Sequence, residues 1–122
     1  MVNTTSIPRF NLKAMQLAAG LKDGLSITSR ARQDAENLGK DFEEVRKIVL
    51  GLRPSDFDHV WIKRDEKKRL ILNAQGKEIA MDVYSPRIVA PNGEECSVYL
   101  KLMLTATAIA ITSIQSFHQH RK

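Results

Sequence analysis

A chain of 122 residues with 43% apolar and 27% charged side chains can bury one core, is short for two, and is neither disordered nor membrane-embedded in composition. Its longest weakly polar run, Leu102 to Ile114, holds 13 residues, short of the roughly 20 that span a bilayer. The net charge is +5 with a pI near 9.6, and the excess is uneven: residues 1–60 carry 9 basic and 8 acidic side chains, residues 61–122 carry 10 and 6. A basic second half suits a polyanionic partner, nucleic acid before an acidic protein or a membrane surface.

The first half reads as helices. Asn11 is placed to cap a short helix over Lys13–Ala19, which Gly20 ends. Thr28 or Ser29 opens a second over Arg30–Leu38, with Gly39 at its stop. Asp41 and Glu44 have the spacing of a capping box. Phe42, Val45, Ile48, Val49 and Leu52 then form one apolar stripe, and Gly51 with Pro54 ends that helix. The segment after it, with Asp56, Asp58 and His59, reads as a solvated loop.

The second half reads as strands. Arg69–Asn73 and Glu78–Tyr84 flank the turn Ala74-Gln75-Gly76-Lys77 and predict a hairpin. Arg87–Val89 and Ser97–Thr105 flank a second turn at Pro91-Asn92-Gly93. Ile109–Phe117 is a further β-branched stretch. Along Ser97–Thr105, Val98, Leu100, Leu102 and Leu104 point one way, while Tyr99, Lys101, Met103 and Thr105 point the other. The expected architecture is a single α+β domain over residues 1–122, helices first and then a mainly antiparallel sheet. One cysteine, Cys96, forbids an internal disulfide, and the opening residues lack a signal peptide's basic-then-apolar layout, so the expected setting is cytoplasmic.

Glycine-rich phosphate loops, nucleophile elbows, HExxH and paired CxxC motifs are all missing from the sequence. Cys96, His118 and His120 lack the spacing of a metal site, and no metal or cofactor is expected. What remains is a set of Tyr, His, Lys and Arg side chains that suits RNA cleavage without a metal. The 2′-hydroxyl must lose a proton, the 5′-oxygen must gain one, and charge on the phosphoryl group must be neutralised. Histidines supply acid and base, and Lys and Arg the counter-charge. An aromatic side chain stacks a base or places a hydroxyl. The candidates are His59, Tyr99, His118, Lys101 and Arg87, with the basic run Lys63–Arg69 behind them.

The order of segments resembles a known family. Asp34-Ala35-Glu36-Asn37-Leu38-Gly39-Lys40-Asp41-Phe42, Ile48-Val49-Leu50-Gly51-Leu52 and Ser55-Asp56-Phe57 look like the helical half of MqsR-type (motility quorum-sensing regulator) toxins of toxin–antitoxin systems. Asp82-Val83-Tyr84 with Pro86-Arg87 resembles that family's DVY-x-PR stretch, and Val98-Tyr99-Leu100-Lys101 its VYLK strand. The resemblance runs through residues 8–117 and implies a RelE-like fold, metal-independent endonucleolytic cleavage of mRNA, and neutralisation by a cognate antitoxin protein. It sets the family's strand tyrosine on Tyr99. A family lysine falls on His59, a glutamine on Met81, and a C-terminal lysine on His118, or on Gln115 in a pairing with fewer gaps. The longer stretch after Phe57 offers Lys63 or Lys68 in place of the lost lysine. The resulting expectation gives His59 and His118 the base and acid roles. Tyr99 then orients RNA, while Lys101 or Arg87 holds phosphate. The alternative is a RelE-like module that binds RNA or an antitoxin without nuclease activity. A DNA-binding helix–turn–helix in the second and third helices is disfavoured because Asp41, Glu43 and Glu44 would repel phosphate.

Overall fold

The computed structural model describes residues 7–105 and, for its backbone, the strand 111–119. Three helices come first: α1 (Leu12–Ala19), α2 (Ser29–Asn37) and α3 (Phe42–Leu50). Their starts are local chemistry. Asn11 and Thr28 side chains accept the Ala14 and Ala31 N–H groups, and Asp41 with Glu44 closes a full capping box. Gly39 ends the α2 segment at φ 75°, where an L side chain is strained and a Cβ would stand 2.8 Å from Pro91 Cγ.

The strands are β1 (Leu25–Ile27), β2 (Phe57–Ile62), β3 (Ala80–Tyr84), β4 (Arg87–Val89), β5 (Glu95–Thr105) and β6 (Ile111–Gln119). They form one open sheet in the order β1-β6-β5-β3-β2, with β4 pairing the start of β5. All pairs are antiparallel except β1 with β6. The fold is therefore α+β, helices followed by a mainly antiparallel sheet. The helices cover one sheet face. Met15, Ala19, Ala31, Ala35, Val45 and Val49 form a single core with Tyr84, Ile88, Val98, Leu100 and Leu102. Val98, Leu100 and Leu102 are fully buried, as the alternation along this strand requires. No helix among the described residues is long and apolar enough to cross a membrane.

Helices α1 and α3 hold each other by their ends. Gln16 Nε2 of α1 donates to the carbonyls of Val49, Leu50 and Leu52, and Arg46 of α3 donates to those of Ala19 and Leu21. Each helix thus satisfies the other's orphan carbonyls. The segment before α1 is tied to the sheet by Asp82, which is fully buried and accepts the N–H groups of Arg9 at 2.8 Å and Phe10 at 2.9 Å. Burial raises the Asp82 carboxyl above its ordinary value, with the two donated hydrogen bonds and Arg9 pulling the other way.

Three expectations need correction. Arg69–Asn73 is no strand: only single bridges, Arg64 with Leu70 and Leu72 with Glu78, occur there. Two side-chain-nucleated turns consume the segment. The Asp65 carboxylate accepts the N–H groups of Lys67 and Arg69, and Asn73 Oδ1 those of Gln75 and Lys77. The partner of β3 is instead Phe57–Ile62, so His59 stands on a strand and in no loop. The short β1, packed between α1 and α2 in sequence, carries no periodicity that would reveal it. Of the last predicted strand, residues 109–110 lie outside the described residues, as does His120.

Candidate functional site

The sheet face turned away from the helices gathers the chemistry. Register carries one rung across four strands, from His59 to Val83 to Lys101 to Ser116. Trp61 pairs with Met81 on the neighbouring rung of β2 and β3. Val83 and Met81 are buried but stand outside the core cluster that the helices form. Long side chains flank them in register: His59 and Lys101 stand on either side of Val83, and Trp61 beside Met81. Strands lie about 4.8 Å apart, so a β2 side chain meets a β5 side chain only by reaching over β3. Two such pairs form. The Lys101 Nζ lies 4.2 Å from the centroid of the Trp61 ring, and the His59 and Tyr99 rings meet edge to face at 6.4 Å and 89°.

The position of His59 depends on a bulge. Phe57 pairs with Tyr84 and His59 with Val83, so two steps on β2 oppose one on β3. In a regular strand Asp58 and His59 would point to opposite faces; the bulge breaks that alternation. His59 Nδ1 stands 2.6 Å from Asp58 Oδ2. With Nδ1–H donating to the carboxylate, Nε2 is the ring nitrogen left to take a proton. Both side chains remain partly open to solvent, 38% and 43% exposed, so the pair orients the ring more than it stabilises the fold.

Lys101 is the charged member. Burial of its stem against β3 and Trp61 penalises the ammonium and lowers its pKa from the ordinary 10.5. An anion arriving on this face meets a cation held by an aromatic ring and a hydrophobic floor, poorly solvated and fixed in place.

The other expected residues are spread more widely. His118 of β6 registers opposite Tyr99 through its backbone. Lys63 is exposed and continues the row of His59 and Trp61 at the end of β2. Lys68 is exposed at the turn closed by Asp65, with φ 64°, and is not brought to the face. Arg87 on β4 lines a separate cleft with Lys47 and Arg53. Met81 forms part of the floor and offers no hydrogen bond to a base or phosphate. A further cleft of about 760 Å³ lies between Arg9, Phe10, Gln75, Glu78 and Met103. Its Arg9 and Glu78 are already joined as an ion pair, and it lies apart from His59 and Tyr99. Among the described residues no three His, Cys, Asp or Glu side chains form a metal-holding group.

Trp61 and Asp58 are the site members that sequence reasoning passes over. The signal for Trp61 is present: Phe57-Asp58-His59-Val60-Trp61-Ile62 is rich in β-branched and aromatic residues. No protein-family model matches the chain, and no curated protein matches it.

Proposed function

We propose that the protein is a toxin of the MqsR type, a metal-independent endoribonuclease acting on mRNA and controlled by a cognate antitoxin protein. The observation that carries this reading is the convergence of His59, Tyr99 and Lys101 on one open sheet face. In the proposed reaction His59 Nε2 removes the 2′-hydroxyl proton. The 2′-oxygen then attacks phosphorus, and the bond to the 5′-oxygen breaks. A proton from His118 neutralises the departing 5′-oxygen, leaving a 2′,3′-cyclic phosphate and a 5′-hydroxyl end. Lys101 offsets the charge that grows on the phosphoryl oxygens, and Tyr99 and Trp61 supply surfaces for bases.

The test is incubation of the purified protein with a long defined mRNA in EDTA, followed by mapping of the new ends. Discrete cuts bearing 5′-hydroxyl ends are expected. Replacing His59 or His118 with Ala should slow them by about 10²–10⁴-fold, the usual worth of a general acid or base. Tyr99→Phe combined with His118→Ala should abolish them. RNA that stays intact with the wild-type protein defeats the nuclease reading. A second reading, an RNA-binding module without turnover, is favoured by Met81 in the floor and by the engagement of Lys101 with Trp61. It requires intact RNA bound in a salt-dependent manner.

A further inference from the structure

Arg87 stands apart from the His59–Tyr99–Lys101 face, and its surroundings form a second basic site. Lys47, Arg53 and Arg87 line one cleft of about 450 Å³ with Ile48, Asp56 and Pro86, where the end of α3 meets the start of β4. Three cations thus face one carboxylate, and that carboxylate is already engaged. Asp56 Oδ2 accepts the Arg53 backbone N–H at 2.8 Å, which leaves the Arg53 guanidinium 4.0 Å away. Among the described residues Arg87 pairs with Glu95 at 3.5 Å, with the two side chains 73% and 66% exposed, a pairing of little strength. Lys47 has no ion-pair partner among the described residues.

Lys47 lies in the last turn of α3 and Arg53 caps the Pro54–Asp56 turn through its backbone, but among the described residues no side chain of the three cations donates to a backbone carbonyl. The last carbonyls of α3 take their hydrogen bonds from Gln16, which also blunts the negative end of the helix that would repel an anion. Clustered like charges repel one another until an anion arrives. Guanidinium groups pair with phosphate oxygens two at a time.

We propose that this cleft is a phosphate subsite for single-stranded RNA, holding a phosphodiester that flanks the one at His59, Tyr99 and Lys101. The inference rests on the RNA reading above and adds Lys47 and Arg53 to it. Position along the sheet argues for RNA over an acidic peptide. Arg87 registers with Ser97, two residues before Tyr99 on β5, a separation of about 7 Å along the strand. Asp56, in the same cleft, lies three residues before His59. A strand of RNA crossing the His59–Tyr99 pair therefore continues into the cleft with its next phosphates.

The experiment uses the full chain and a fluorescein-labelled 12-nucleotide 2′-O-methyl oligoribonucleotide, whose blocked 2′-oxygen prevents cleavage. Binding is followed by anisotropy across a range of NaCl concentrations. A Lys47→Ala, Arg53→Ala, Arg87→Ala variant should bind about tenfold more weakly at low salt, its salt slope shallower by about 0.7 for each phosphate that the protein no longer neutralises. Its thermal midpoint should stay close to wild type, because all three side chains are exposed. Arg87→Lys should keep the slope while losing part of the affinity. Unchanged affinity and slope in the triple variant overturn the subsite. If Lys101→Ala weakens binding in that same case, the RNA reading stands without it. If the triple variant weakens binding but cleavable RNA stays intact with the wild type, the subsite stands and the nuclease reading falls. Equal affinity for a polyglutamate peptide of the same length overturns the assignment to RNA.

Discussion

Lys101 shows how one residue's setting sets its chemistry. Its ammonium lies over Trp61, the residue registers beside Val83, and burial leaves the charged form poorly solvated, so the pKa falls below 10.5. The sign follows directly. The penalty on the ammonium is present at neutral pH and is released as pH rises through the lowered pKa toward 10.5, so Lys101→Met should stabilise the free protein at neutral pH and lose that advantage in alkali. RNA reverses the preference, because a phosphate restores the ammonium. Between the lowered pKa and 10.5, binding of an oligoribonucleotide should therefore take up a proton, and in Lys101→Met it should not. Titration of the Lys101 side chain by NMR, free and bound, checks this; a free-state pKa at or above 10.5 would refute it. Trp61→Ala, which opens the ammonium to water, should move the free-state value back upward. The share of this site legible in the sequence was the share that alternation exposes. Tyr99 and Lys101 oppose an unbroken row of Val98, Leu100 and Leu102. Asp58 beside His59 was not legible, since it needs a bulge that inverts the alternation. Trp61 carried a strand's composition around it, but that strand begins directly at the helical turn Pro54–Asp56, among charges that read as a loop.

Elements in this fold are fixed at their ends as much as along their faces. Gln16 alone serves three carbonyls of the α3 terminus at 2.9–3.1 Å. Gln16→Leu keeps the side chain's size and removes the donors, so it should cost about 1–3 kcal/mol in urea unfolding with the slope unchanged. A cost below about 0.5 kcal/mol would mean that water caps α3 equally well. Caps also explain which elements the sequence disclosed. Asn11, Thr28 and Asp41 act within three or four residues, so α1, α2 and α3 were readable to within a residue at each end. Strands that owe their pairing to distant partners were less so. Among the described residues, the three residues of β1 pair with β6, more than eighty residues on, and nothing local marks them. Gly24, just before β1, shows the same constraint from outside its own strand: its Cβ would fall 1.8 Å from the Ala18 carbonyl oxygen, an approach no hydrophobic pattern announces.

At the scale of the whole molecule, the stretch between β2 and β3 is an excursion from a ladder that is complete without it. The ladder runs to Ile62 with Ala80, and Lys63 N–H still donates to the Ile79 carbonyl at 2.9 Å. Beyond that rung the chain leaves through Arg64, makes the Asp65 and Asn73 turns, and returns at Glu78, with Leu70 and Leu72 exposed. Residues 65–77 contribute no side chain to the buried core. Joining Arg64 to Glu78 through Asn-Gly, a turn suited to a two-residue hairpin, keeps Lys63 and the Arg9–Glu78 ion pair. It removes four cations, Lys68 among them, and two carboxylates. The shortened protein should fold with its thermal midpoint shifted by no more than about 4 °C, the equivalent of roughly 1 kcal/mol. It should cut RNA at the same positions as the full chain. Overall RNA affinity should fall at low salt and converge with wild type as salt rises, since the loss is one of general field. Cuts that move or vanish while the thermal midpoint holds would give Lys68 and its turn a direct part in positioning the RNA.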